Sequence, residues 1–128
     1  MHLTSSLHLR HDPLEVARAR RWLADVLEEQ ALLDADRRET TLLMASELVT
    51  NAIVHTDSAP VISVSKSGNR IRVGVQDDDP RPPQIRDRPG DRSGGNGLRI
   101  VEAWSAAWGT EASPGGAGKV VWFAVDRW

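Results

Sequence analysis

The chain contains no cysteine. Disulfides, thiolate zinc sites and cysteine nucleophiles are therefore excluded, and the absence fits a reducing cytoplasm. An excess of basic charge is missing too. The 16 Lys and Arg are set against 18 Asp and Glu, and a formal net charge of -2 draws the molecule toward neither nucleic acid nor an anionic membrane. No stretch approaches the ~20 apolar residues that a membrane span needs. The opening Met1-His2-Leu3-Thr4-Ser5-Ser6-Leu7 lacks the basic start and apolar run of a signal peptide. The expectation is a cytoplasmic protein with no membrane and no direct nucleic-acid partner. Lysine is scarce as well: among the basic residues only Lys66 and Lys119 are not arginine.

What is present suits one ordinary folded domain. A length of 128 residues can bury one real core. Hydrophobic residues at 40% and charged residues at 27% are normal for a globular chain rather than a disordered one. There is no internal repeat and no dividing linker, so the expectation is one domain over residues 1–128.

Residues 5–10 read as a first strand. Pro13 suits the entry to a helix, where its missing N–H costs nothing. Val16, Ala17, Leu23, Ala24 and Leu27 then recur at helical spacing to about Glu29. A second helix opens near Asp34 or Asp36 and runs through His55. Two apolar strands follow, Val61–Ser65 and Arg70–Gln76, around the turn Ser67-Gly68-Asn69. Residues 78–96 are rich in proline, glycine and charge, which predicts a long loop of the lid type. Leu98, Ile100, Val101 and Trp104 start a third helix. Trp108–Glu111 and Lys119–Val125 read as strands around Pro114-Gly115-Gly116. This order predicts an α+β fold, a two-layer sandwich with helices on one face of a mixed sheet.

Three places carry candidate chemistry. In the second helix Glu47, Asn51 and His55 are spaced i, i+4, i+8, and each step turns the helix about 40° beyond a full turn. They form one slanting stripe beside the apolar Leu42, Ala45, Val49, Ala52 and Ile53. An amide oxygen there can bind a hard cation such as Mg²⁺, and a carboxylate can orient or deprotonate an attacking group. The same spacing also describes an ordinary solvated helix face. In the second place, Val73-Gly74-Val75-Gln76-Asp77-Asp78-Asp79-Pro80, an aspartate ends a strand. A carboxylate at such a point can accept from an exocyclic amine, or it can simply stop the strand. In the third, Ser93-Gly94-Gly95-Asn96-Gly97-Leu98 runs into a helix, where glycines let backbone N–H groups approach phosphate. A plain flexible loop would look the same.

Together, in this order, the three resemble the GHKL ATPase superfamily, in the version found in bacterial anti-sigma-factor serine/threonine kinases. Glu47-Leu48-Val49-Thr50-Asn51-Ala52-Ile53-Val54-His55 resembles its N box. Val75-Gln76-Asp77 falls where its first glycine box begins, and Gly95-Asn96-Gly97-Leu98-Arg99-Ile100-Val101 resembles the second. Lys119-Val120-Val121-Trp122-Phe123 resembles its closing strand, and Pro13 with Ala17-Arg18 its first helix. The likeness spans essentially the whole chain.

The resemblance implies ATP and Mg²⁺ as cofactors. Asn51 would hold the metal against the phosphates, Glu47 would act as catalytic base, and Asp77 would bind the adenine amine. Gly95, Gly97 and Leu98 would form the phosphate-side turn, with the lid between. A sigma factor or an anti-sigma antagonist is the implied partner, and a homodimer through the N-terminal strand and helix is a further expectation. His55 is expected to pack and bond at the helix end. A sensor-kinase ATPase domain would need a phosphoacceptor helix domain, which is not expected from these residues.

Two departures stand out. The family usually has glycine at the second and fourth positions after its aspartate; here these are Asp79 and Arg81, with Pro80 between. Val120 falls where the closing strand often carries a threonine that supports the adenine contact. A non-catalytic regulatory module with a weak or vestigial nucleotide pocket is therefore the alternative.

Overall fold

The first helix, α1 (Glu15–Glu29), buries Ala19, Leu23 and Leu27, one residue per turn along one stripe. Asp12 and Pro13 lead into it, the Asp12 carboxylate accepting the N–H of Leu14 at 2.9 Å. At its far end Ala31 adopts φ 48°, a left-handed conformation usually left to glycine. Leu32 N–H then reaches back to the Leu27 carbonyl at 3.0 Å, which closes the helix and turns Leu32 and Leu33 into the core.

The second helix, α2 (Ala35–His55), is capped by Asp34, whose carboxylate accepts the N–H of Arg37 at 2.8 Å. Leu42, Met44, Ala45, Leu48, Val49, Ala52 and Ile53 are all buried, so this helix forms the centre of the helical layer. The His11 ring nitrogen Nε2 donates to the carbonyls of Ile53 at 2.8 Å and Thr56 at 2.6 Å, covering two acceptors at the helix C-terminus. The structure, a computed structural model, describes residues 3–83 and 95–128. Most of the lid expected over 78–96 lies outside the described residues.

Among the described residues five strands make the sheet: β1 (Leu3–His8), β2 (Val61–Ser67), β3 (Arg70–Asp77), β4 (Ala107–Ala112) and β5 (Lys119–Asp126), in the order β1-β2-β3-β5-β4. A third helix, α3 (Gly95–Trp104), connects β3 to β4. The expected α+β sandwich is present, with one correction: every pairing is antiparallel rather than mixed. The chain returns from α3 with β4 running parallel to β3, but β5 inserts between them through the β4–β5 hairpin. No two neighbours are left parallel.

Register sorts the two faces. Ile62 pairs with Val75, Val64 with Val73, Val73 with Phe123 and Val75 with Val121. These residues join α1, α2 and α3 in a shared apolar core. The opposite face carries Ser63, Ser65, Arg72 and Trp122, with the Arg72 guanidinium 4.4 Å from the Trp122 ring centroid. Side chains alternate with period two, so the inward residues at the end of the β3–β5 ladder are the cross-strand pair Asp77 and Lys119.

Candidate functional site

A cavity of about 230 Å³ opens between the C-terminal half of α2 and the paired ends of β3 and β5. The helix contributes Leu48, Asn51, Ala52 and His55, the strands Val75, Asp77, Lys119 and Val121. Asp79, Arg81, Pro82 and Pro83 form its rim. Asn51 and Asp77, far apart in sequence, thus line the same space.

Asn51 is 9% exposed, and its Oδ1 has no hydrogen-bond partner among the described residues. A buried carbonyl oxygen left unpaired costs about 1–3 kcal/mol, which a ligand can recover. An amide oxygen is a hard donor that suits Mg²⁺, a cation that takes few protein ligands and completes its shell with phosphates and water. Among the described residues no group of three or more His, Asp or Glu forms a denser metal centre. The donor present fits a cation brought in by a phosphorylated ligand.

Asp77 is 3% exposed and fully engaged on one oxygen. Its Oδ1 accepts the N–H of Asp79 at 2.9 Å and the ammonium of Lys119 at 3.0 Å, and Oδ2 also lies 3.0 Å from that ammonium. Lys119 Nζ donates as well to the Asp79 carbonyl at 2.9 Å. Lys119 was not among the residues singled out from the sequence. The available signal was a lone lysine opening the otherwise apolar run Val120-Val121-Trp122-Phe123-Ala124-Val125.

The register also corrects the role expected at position 120. Val120 pairs with Gln76 and points to the outer face, within reach of Gly74 and away from Asp77. The inward position beside the aspartate belongs to Lys119. Gly118, just before it, passes so close to β3 that an added Cβ would overlap the Asp77 carbonyl oxygen. That glycine is required for the approach of the two strands.

The turn after Asp77 is charged, as expected, and it is closed by its own ion pair. Arg81 donates to the Asp79 carboxylate through Nε at 3.0 Å and Nη2 at 2.6 Å, and its backbone N–H adds a third bond at 2.9 Å. These hydrogen bonds from Arg81 hold the Asp79 carboxyl far below the usual carboxylate range.

The remaining residues divide. Glu47 lies one turn before Asn51 on α2, half-buried but not on the cavity wall, and burial pushes its carboxyl above the ordinary glutamate value. His55 is exposed at the cavity edge. Gly95 and Gly97 lie in the first turn of α3, which packs against α2. The Leu98 side chain is 1% exposed in the apolar core. Only its backbone can serve a phosphate turn, because its side chain is held among core residues.

On a helix-covered antiparallel sheet, one cavity thus brings together an unpaired amide oxygen and a buried strand-end carboxylate, a candidate site for a polar ligand. Residues 9–125 match the histidine kinase-like ATPase domain, and the chain belongs to that family. No curated protein gives a significant match. Among the described residues no helix is long and apolar enough to cross a membrane.

Proposed function

We propose that the protein is an ATP-binding serine/threonine kinase of the anti-sigma-factor type, which holds a regulatory partner and phosphorylates it. The observation that carries this reading is the meeting of Asn51, with its unpaired Oδ1, and Asp77 in one cavity. Asp77 would accept from the adenine amine at the inner end. Asn51 would hold Mg²⁺, which neutralises phosphate charge when bound. The first turn of α3 at Gly95 and Gly97 would offer backbone N–H groups to the phosphates. Glu47, with its proton affinity raised by burial, would take the proton of a serine hydroxyl as the oxygen attacks the terminal phosphorus and the bond to the bridging oxygen breaks, releasing ADP. Phosphoryl transfer asks mainly for positioning and charge neutralisation, so these few groups suffice. The resemblance in the N box makes a sigma factor or its antagonist the partner to try first.

A second reading is a non-catalytic regulatory module. It draws on Glu47 lying off the cavity wall and on the engagement of Asp77 by Lys119. Two measurements separate the readings: calorimetric titration with ATP–Mg²⁺, and transfer of labelled phosphate from ATP to each partner bound. Binding with transfer supports the kinase. Partner binding with no transfer to any partner leaves the module as the better account, and no ATP binding removes the kinase altogether.

A further inference from the structure

The Asp77–Lys119 pair has hydrogen-bonding capacity to spare. An ammonium carries three N–H donors, and a carboxylate offers about four lone-pair positions. Lys119 spends its donors on Asp77 and on the Asp79 carbonyl. Asp77 receives the ammonium and the N–H of Asp79, the latter on Oδ1 only. The ammonium also lies 3.0 Å from Oδ2, but its hydrogen bonds go to Oδ1 and the Asp79 carbonyl, so the third N–H has only that ion-pair contact and can turn to a base, while Oδ2 retains a free lone pair. Both side chains are buried and both line the cavity. A donor beside an acceptor, fixed by strand register, is complementary to a ring edge that shows an acceptor beside a donor.

We infer that Lys119 is a specificity-determining residue, and that Asp77 and Lys119 read the nucleobase at two points. Lys119 donates to the N1 ring nitrogen of adenine while Asp77 accepts from the neighbouring exocyclic amine. This rests on the ATP reading above and adds to it a contact that Val120, on the opposite face of β5, cannot make. Guanine and hypoxanthine present the reverse order. They would set a carbonyl oxygen against the carboxylate and an N–H against the ammonium, leaving charged groups unpaired in a buried site. The ion pair also fixes the reader in advance, since each member holds the other in place before a base arrives. A purely structural ion pair would hold the two strands together and be indifferent to the atom at position N1.

The test is a cycle of two ligands against two proteins. Wild type and Lys119→Met are titrated calorimetrically, in Mg²⁺, with ATP and with 1-deaza-ATP, which keeps the amine and replaces N1 by C–H. GTP is added as a third ligand on wild type. In wild type, 1-deaza-ATP should bind roughly tenfold or more weaker than ATP, the usual size of a lost hydrogen bond to a charged group, and GTP weaker still. In Lys119→Met, ATP should fall to the level of 1-deaza-ATP and the difference between the two should vanish. Because removing Lys119 leaves Asp77 as a lone buried charge, the variant's fold is checked by its melting transition. If it does not fold, the wild-type comparison alone decides. Equal binding of ATP and 1-deaza-ATP by wild type, or a deaza penalty that persists in Lys119→Met, overturns the two-point reader while leaving ATP binding intact. GTP binding as tight as ATP does the same. Absence of any ATP binding by folded wild type overturns the nucleotide reading itself.

Discussion

The hydroxyl of Ser58 accepts the backbone N–H of Asp78 at 3.1 Å. It begins a chain of bonds that ends in α2: Ser58 donates to Thr56 Oγ1 at 2.9 Å, and Thr56 Oγ1 donates to the Ala52 carbonyl at 2.7 Å. Ser58 is 9% exposed, so the relay is largely shielded from water. It ties the last turn of the helix bearing Asn51 to the strand end bearing Asp77.

Breaking that tie should loosen the site more than the fold. Ser58→Ala leaves the Asp78 N–H without its acceptor, at a cost of about 1–3 kcal/mol if the group stays buried. The expected outcome is a lower melting temperature and a several-fold weaker ATP affinity. Unchanged affinity beside a lowered melting temperature would mean that the relay serves stability alone.

Asn51→Ala removes the unpaired Oδ1. ATP affinity in Mg²⁺ should fall sharply, and the variant should bind ATP in Mg²⁺ little better than in EDTA. Wild type should show a clear gain from Mg²⁺. Equal affinity of wild type in Mg²⁺ and EDTA would refute the metal role given to Asn51.

Glu47→Gln tests base and burial together. As base, Glu47 acts in the transition state, so the variant should keep ATP affinity within a few-fold and lose phosphate transfer by about 10²–10⁴-fold. The stability effect has a definite sign. Burial raises the folded-state value of Glu47 above its ordinary 4.5, so the ionised form is disfavoured by folding. The destabilisation is absent below about pH 4.5, where the group is protonated both folded and unfolded, and it grows as pH rises through the folded value. Glu47→Gln should therefore melt higher than wild type at pH 7, with the gain shrinking toward pH 4. Melting curves at both pH values check this, and a gain confined to acid pH would contradict it.

Gly118→Ala should be far more harmful than Gly115→Ala. At 118 the new methyl meets backbone of β3, which cannot swing aside as a side chain would. At 115 it meets open space, and the cost is only that of φ +88° for a non-glycine residue, of order 1–2 kcal/mol. Overpacking at 118 should cost about 1–3 kcal/mol or more and weaken ATP binding, because Asp77 is the residue displaced. Chemical denaturation of the two variants, followed by ATP titration of each, measures both effects.

Local pattern was enough for the elements. Helical spacing from Val16 to Leu27, the start of the second helix near Asp34 or Asp36, the Gly68 turn and the two apolar strands appear within a residue or two of where they were expected, since turn chemistry and periodicity act over a few positions. The N-box stripe placed Asn51 correctly beside an apolar face. Pattern could not say that Glu47 stands off the cavity wall, because spacing gives an angle around a helix but not what packs against it. The apolar spacing from Leu98 agrees with its buried side chain, which leaves only the Leu98 backbone for the phosphate-side turn that the resemblance implies.

Strand pairing lay beyond local pattern altogether. A sheet expected to be mixed is antiparallel because β5 inserts between β3 and β4, a long-range choice with no local signature. The same register decides the inner end of the cavity. A shift of one residue along β5 would turn Val120 inward and Lys119 out. The sequence by itself determined the elements, the family resemblance and the side chains available to bind. The tertiary structure alone decided that Lys119 faces Asp77, because which side chain meets which across a sheet depends on two strands docking forty-two residues apart.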